Sequence, residues 1–275
     1  MKNIVKEPKV SDALCKELGG SGKPIRWERL THAEISELVE KQNAVLIPVG
    51  AIEQHALHMG MCVDEEIADH VCQGVSAATG VPTIPPIMYG SSASHGSFPG
   101  TLSIQPETLI AMMMDLVDSL YKSGVRQFII VNAHSWDVGP STVIADKIRV
   151  KYDDARVRSI FYCTMYPGNE VNGHVTYGRD LMHANYFETS LMLYIDPEIV
   201  HLERAKEIVD KDTFWDYRTD QVSKTGVWGR DIALATAEHG ASEMARCIET
   251  TARAVAKAVQ EPWPTVQDGF DSSCR

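Results

Sequence analysis

Two hydrophobic rhythms alternate along the chain. Four short runs, "AVLIPVGA" (44–51), "VPTIPPIMYG" (81–90), "RQFIIVNAH" (126–134) and "VRSIFYC" (157–163), read as strands. Within them "FIIV" is continuously apolar, as a strand buried on both faces would be. Between the runs, apolar residues recur at helical spacing. "LTHAEISELVEKQN" sets Thr31 as N-cap with Glu34 three positions on, a capping-box spacing, and puts Ile35, Leu38 and Val39 on one face. "PETLIAMMMDLVDSLYKSG" (106–124) has Pro106 for a first turn, Gly124 for a stop, and a core stripe of Met112, Met113, Leu116, Val117 and Leu120. Residues 65–78 and the segments "STVIADKIRVKY", "ANYFETSLMLYI" and "ASEMARCIETTARAVAKAV" complete the helices. Strand, helix, strand repeated in this way predicts an α/β fold with a mainly parallel central sheet covered by helices on both faces. Sites in such sheets form at the carboxyl ends of the strands.

The length, 275 residues, fits one domain with a sizeable core. Residues 1–25 are polar and end in "GGSGKP", which predicts a weakly ordered arm ahead of a single domain over 26–275. A formal net charge of -11 without a Lys/Arg cluster argues against a nucleic-acid partner. The sequence shows neither a signal-peptide pattern nor an apolar run of membrane-spanning length, so a soluble, cytoplasmic protein is expected. Six cysteines without C-x-x-C pairs fit reduced thiols.

The chemistry gathers where strands end. "GAIEQHALHMGMCVDEE" (50–66) follows directly on "AVLIPV" and carries Glu53, His55, His58 and Asp64. Alternation points Glu53 and His55 to one side of an extended segment. "FIIVNAHSWD" delivers Asn132, His134 and Asp137 to the same rim if the strands are parallel. "RDLMHANYFETS" adds Asp180, His183 and Glu188, and the separation of His183 from Glu188 places the histidine ahead of the helix or in its first turn. Carboxylates brought together in a cleft need neutralising, and mixed imidazole and carboxylate ligands suit zinc or manganese. Each histidine alone is more commonly a hydrogen-bonding core or surface residue; the conjunction is what argues for a metal.

These residues carry a resemblance. "PVGAIEQHALHMGMCVDEEIA", followed in order by "YGSSASHGSFPGTLSIQPETL", "VNAHSWD", "HANYFETSL" and "GVWGRDIALATAEHG", resembles the creatininase (creatinine amidohydrolase) family from about Trp27 to Ala258. The resemblance implies a three-layer α/β/α sandwich and a binuclear metal hydrolase, with two divalent ions, Zn²⁺ and/or Mn²⁺. Family roles carried onto matching positions make Glu53 and His134 ligands of one ion, His55 and Glu188 ligands of the other, and Asp64 the shared carboxylate. His183 is the candidate proton donor to a departing nitrogen, with Asp180 orienting it or capping a helix. His95, Trp136 and Asp137 are the candidate substrate contacts. Trp136 stands where creatinine-cleaving members carry a glutamate, which disfavours creatinine itself, and Ala56 and Ala133 stand where glycines are usual.

The expected reaction is hydrolysis of an amide C–N bond in a small polar substrate; the alternative is ring opening of an oxidised sugar or cyclitol at a C–C or lactone bond. A non-catalytic metal-binding module is a third reading, weakened by the retention of all five ligand-type residues and His183. Family assembly implies a homo-oligomer, a hexamer, with Trp215, Trp228 and Met182 as candidate interface residues. Cys62, close to Asp64, is expected to be a bystander rather than a nucleophile.

Overall fold

A computed structural model of the chain describes residues 7–162, 183–206, 217–229 and 231–263, with the backbone of 170–171 and 174–175. Three parallel strands, β1 (Ala44–Val49), β2 (Gln127–Asn132) and β3 (Arg156–Phe161), lie in the order β1-β2-β3. Their register pairs Val49 with Asn132 and Asn132 with Phe161, so the carboxyl ends are level and open on one rim. A two-residue pair, β4 (Glu170–Val171) and β5 (His174–Val175), is antiparallel.

Alternation along the strands divides the core in two. Leu46, Ile129, Val131 and Ile160 point to one face, against α1 (Asp12–Leu18), α3 (Val63–Thr79), α6 (Tyr186–Ile195) and α8 (Ala237–Gln260). Val45, Ile47, Val49, Phe128 and Ile130 point to the other, against α4 (Pro106–Lys122) and α5 (Val138–Lys151). Each fully buried aliphatic or Phe side chain contributes roughly 1.5–3 kcal/mol. The three-layer α/β/α arrangement expected from the rhythm is therefore present.

Local signals explain the helix ends. Around α2 (His32–Lys41) the capping box is formed: Thr31 Oγ1 accepts from Glu34 N–H, and Glu34 Oε2 accepts from Thr31 N–H at 2.7 Å. Pro106 opens α4, and Met113, Val117 and Leu120 of the expected stripe are buried. The helix closes at Ser123, and Gly124 follows in a left-handed conformation. The short α7 (Thr219–Val222) lies in the loop region before α8.

Two expectations need correction. The run 81–90 forms no regular strand, because Pro82, Pro85 and Pro86 lack the N–H groups that a ladder needs. It keeps only isolated parallel bridges, from Thr83 to Arg26 and Leu46 and from Ile87 to Val49. Pro48 in β1 is tolerated for a related reason: Leu46 and Gly50 send their N–H groups to Pro82 and Ile87, so the missing N–H faces that interrupted edge rather than β2. The expected arm, 1–25, also contains structure. Ser11 caps α1, Gly19 ends it in a left-handed conformation, and Leu14 and Cys15 are buried in the core, against the α3 and α8 layer. No helix among the described residues is long and apolar enough to cross a membrane.

Candidate metal centre

Beyond the level ends of β1 and β2 the chain makes two short excursions that bring ligand-type side chains together. After β1, residues 50–54 continue without regular secondary structure and Ala56 turns with φ 61, a left-handed conformation that disfavours a side chain. This sets Glu53, Gln54 and His55 in the interior, while Asp64 enters from the first turn of α3. After β2, Asn132 Oδ1 accepts from His134 N–H at 2.8 Å and fixes the turn that carries His134. His183 precedes α6, as its spacing from Glu188 required, and exchanges backbone hydrogen bonds with Trp228 at 2.8 and 2.9 Å. Glu188 sits in the first turn of α6, where its Oε2 accepts from Ala184 N–H at 2.6 Å.

All of these side chains are buried. Their ligating atoms fall into three overlapping groups, each within 4.8 Å: Glu53, Asp64 and His134; His55, His183 and Glu188; and Glu53, His95 and His183. Asp64 faces both sides, since its Oδ1 also lies 3.5 Å from His55 Nε2. The five residues expected as ligands are thus brought together, and His183 and His95 join them.

The two histidines expected to ligate share one construction. His134 donates from Nδ1 to Asp137 Oδ2 at 2.8 Å and turns Nε2 toward Glu53 Oε2 at 2.9 Å. His55 donates from Nδ1 to the Glu53 carbonyl at 3.0 Å, and its Nε2, directed at Asp64 and Glu188, has no hydrogen-bond partner. Asp64 Oδ2 is also buried without a partner. Outer nitrogens held by the protein and inner nitrogens aimed at carboxylates are what metal ligation requires. Orphaned buried acceptors are costly unless something fills the space between them. The donor set therefore fits divalent cations of the zinc and manganese type.

Electrostatics without a cation show the same strain. Burial would raise the Glu53 carboxyl, but the imidazoles of His95, His134 and His183 outweigh it and hold the group well below the usual range. Burial would lower His55, yet Asp64 and Glu188 push it up to about 9. His134 likewise overcomes burial, through Glu53 and Asp137, and lies well above its ordinary value. Glu188 rises to about 7, chiefly through burial. His183 falls well below its ordinary value because it is buried among His55 and His95. His58, which donates to Thr189 Oγ1 at 3.0 Å, is lowered by burial to about 4.

Several expectations change at this site. Asp137 was expected to meet substrate, but it is buried behind His134, with one oxygen on that ring and the other accepting from Ser91 N–H at 2.9 Å. It is the orienting partner of His134. His95, read from sequence as a loop histidine near substrate, is buried at the end of a single helical turn (Ala93–His95), 3.3 Å from Glu53 Oε1. Trp136 is half-buried and points its indole N–H at His95 Nε2 from 3.3 Å. Trp228 is fully buried, which fits a residue that packs its loop. Asp180, Met182 and Trp215 lie outside the described residues. The Cys62 thiol is held up at about 12 by burial and by Glu66 and Glu65, which disfavours the thiolate and fits the bystander reading. Gln54 was missed: its side chain reaches His95, His183 and Gly226, which no strand alternation could have indicated.

The fold and the centre define an α/β protein with a buried imidazole–carboxylate site at the carboxyl rim of a parallel sheet. The family profile described as Creatininase, creatinine amidohydrolase, matches residues 28–255. The chain belongs to the creatininase family, whose matched members are hydrolases. It is 29% identical over 254 residues to the creatinine amidohydrolase of Pseudomonas putida, covering 86% of this chain and 96% of that one. It is 30% identical over 249 residues to the mycofactocin precursor peptide peptidase of Mycobacterium tuberculosis, covering 85% and 92%. A solved creatininase variant of Zn-Zn type superposes with a TM-score of 0.73 at 26% identity, covering 87% of this chain and all (100%) of that one.

Proposed function

We propose that the chain hydrolyses an amide C–N bond in a small polar molecule or at a peptide end, using two divalent cations. Glu53, Asp64 and His134 would hold one ion, and His55, Asp64 and Glu188 the other. The observation that carries the reading is the pair His55 and His134, each fixed through Nδ1 and turned by Nε2 toward buried carboxylates. When bound, the cations supply Lewis acidity toward the scissile carbonyl and make water nucleophilic near neutral pH.

The protein's own groups do the rest. Glu53, Asp64 and Glu188 balance the cationic charge in a buried setting. Asp137 holds the His134 ring in register. His183 handles a proton at Nδ1, the nitrogen that faces Glu53 Oε1 at 3.4 Å, and an amine leaving from an amide needs such a proton. Amide cleavage is preferred to ring opening of a cyclitol because the two named relatives are an amidohydrolase and a peptidase. Trp136 cannot accept a proton as a carboxylate would, so creatinine itself is not the favoured substrate. Assembly into a homo-oligomer, a hexamer by family resemblance, belongs to the same reading and is tested by light scattering.

The deciding experiment is metal analysis of the purified protein with a panel of cyclic amides, formamides, short peptides, lactones and cyclitol ketones. Metal-dependent turnover confined to amides is expected. Turnover of lactones or ketones alone would overturn the amide reading.

A further inference from the structure

The amide of Gln54 can be oriented without ambiguity from two backbone groups of fixed polarity. Ala56 N–H can only donate, and it meets Gln54 Oε1 at 2.9 Å; the Gly226 carbonyl can only accept, and it meets Gln54 Nε2 at 3.2 Å. The amide nitrogen therefore faces the histidines, 2.7 Å from His95 Nδ1 and 2.9 Å from His183 Nε2. His183 Nε2 lies 2.7 Å from the Gln54 carbonyl, which can only accept, so that nitrogen carries a proton and donates it there. Of the two amide hydrogens, one then serves Gly226 and the other His95 Nδ1.

This accounting fixes both rings. With Nδ1 accepting, neutral His95 carries its proton on Nε2, where Glu53 Oε1 stands at 3.3 Å. The indole N–H of Trp136 approaches the same Nε2 from 3.3 Å and favours the opposite tautomer. The shorter Gln54 contact and the Glu53 carboxylate act together against it, and they prevail. In His183 the 2.7 Å bond from Nε2 to the Gln54 main-chain carbonyl outweighs the pull of Glu53 Oε1, 3.4 Å from Nδ1, so the proton stays on Nε2 and Nδ1 is turned to the site.

We propose that Gln54 is a positioning residue that sets, through its side-chain amide and its own carbonyl, which nitrogen each of His95 and His183 turns to the metal centre. This rests on the hydrolase reading and deepens it: Nδ1, the nitrogen that His183 turns to the site, is the one through which it would exchange a proton. It also accounts for the "TGVWG" segment. A Cβ on Gly226 would fall 2.0 Å from Gln54 Oε1, so glycine is required there for the amide to keep its place. Trp228, two residues on, holds His183 by paired backbone bonds.

The test is a two-bond ¹H–¹⁵N correlation on the zinc-loaded, full-length protein labelled with [¹⁵N]histidine, which distinguishes the tautomers directly. Both His95 and His183 are expected as Nε2–H. In Gln54→Leu, His95 should become a tautomer mixture. With metal content unchanged, kcat should fall about 10–100-fold while KM changes little. Gln54→Glu, equal in shape but unable to donate, should move the His95 proton to Nδ1. An Nδ1–H tautomer of His95 in the wild-type chain would overturn the proposal even if both variants failed to fold. So would unchanged tautomers and turnover in Gln54→Leu. Failure of the wild type to cleave any amide would strike at the proposed function alone, since the tautomer measurement needs no substrate.

Discussion

Glu53 Oε2 and His134 Nε2 lie 2.9 Å apart, joined across 81 positions of sequence because the strands that precede them end level with one another. With Asp137 on its other nitrogen, His134 sits between two carboxylates. That string is stable without a cation only if the ring is protonated, so a cation and a proton compete for the same place.

Cation uptake must therefore expel protons. His55 is raised to about 9 by Asp64 and Glu188, and His134 well above its ordinary value by Glu53 and Asp137, so the neighbouring carboxylates favour the charged form of both rings in the metal-free protein. Loading should release about two protons per chain near neutral pH, and a further share from Glu188 at lower pH. Affinity should accordingly rise with pH toward about 9 and weaken as pH falls. Calorimetry in buffers of different ionisation enthalpy measures the release; pH-independent affinity would contradict the assignment of these histidines as ligands.

Asp64 belongs to one ligand group with Glu53 and His134 and faces His55 of the other. Asp64→Ala should therefore lose both ions together. Metal content after dialysis decides it, and retention of two ions would remove the shared carboxylate.

Replacing Asp137 by Asn leaves the His134 ring less firmly held and less basic. Metal affinity should drop about 10–100-fold, while saturating metal should restore the full complement. A competition titration against a chelator reads this out. A permanent loss of one site would make Asp137 more than an orienting partner.

His183 is the residue whose role the geometry divides, because it lies within ligating distance of two groups. As a proton-handling group, His183→Gln should keep both ions and lower turnover roughly 10²–10⁴-fold, with an activated leaving group recovering part of the loss. Loss of an ion would make it a ligand instead.

Away from the centre, Thr31→Ala removes one half of the capping box on α2. It should lower stability by about 1 kcal/mol and leave metal content and activity alone. Thermal unfolding of the loaded and metal-free protein checks both parts.

The sheet and most helices were legible because burial on both faces writes a continuous apolar run, as in "FIIV", and capping writes Thr31 and Glu34 at fixed spacing. Glu53, His55 and His134 were legible because they follow directly on such runs. Helix α1 was overlooked although Ser11 and Gly19 bracket it, since the polar, glycine-rich stretch behind it dominated the composition. Gln54, and the burial of His95 beside Glu53, were hidden for a different reason. The left-handed turn at Ala56 ends strand alternation, and a single helical turn at Ala93–His95 folds a polar loop inward; neither has a periodic signature.

The residues of the centre are strung out along the chain in a definite order, and translation follows that order. Glu53, Asp64 and His134 are all in hand once the turn after β2 has been made, whereas Glu188 arrives with α6. Helix α8, the last among the described residues, packs closely on α6, for a Cβ added to its Gly240 would fall 1.8 Å from the Ser190 carbonyl oxygen. Until α6 is made, the nascent chain carries this acidic group without Glu188. Two ions held by the complete ligand set would therefore have to wait until Glu188 has been made.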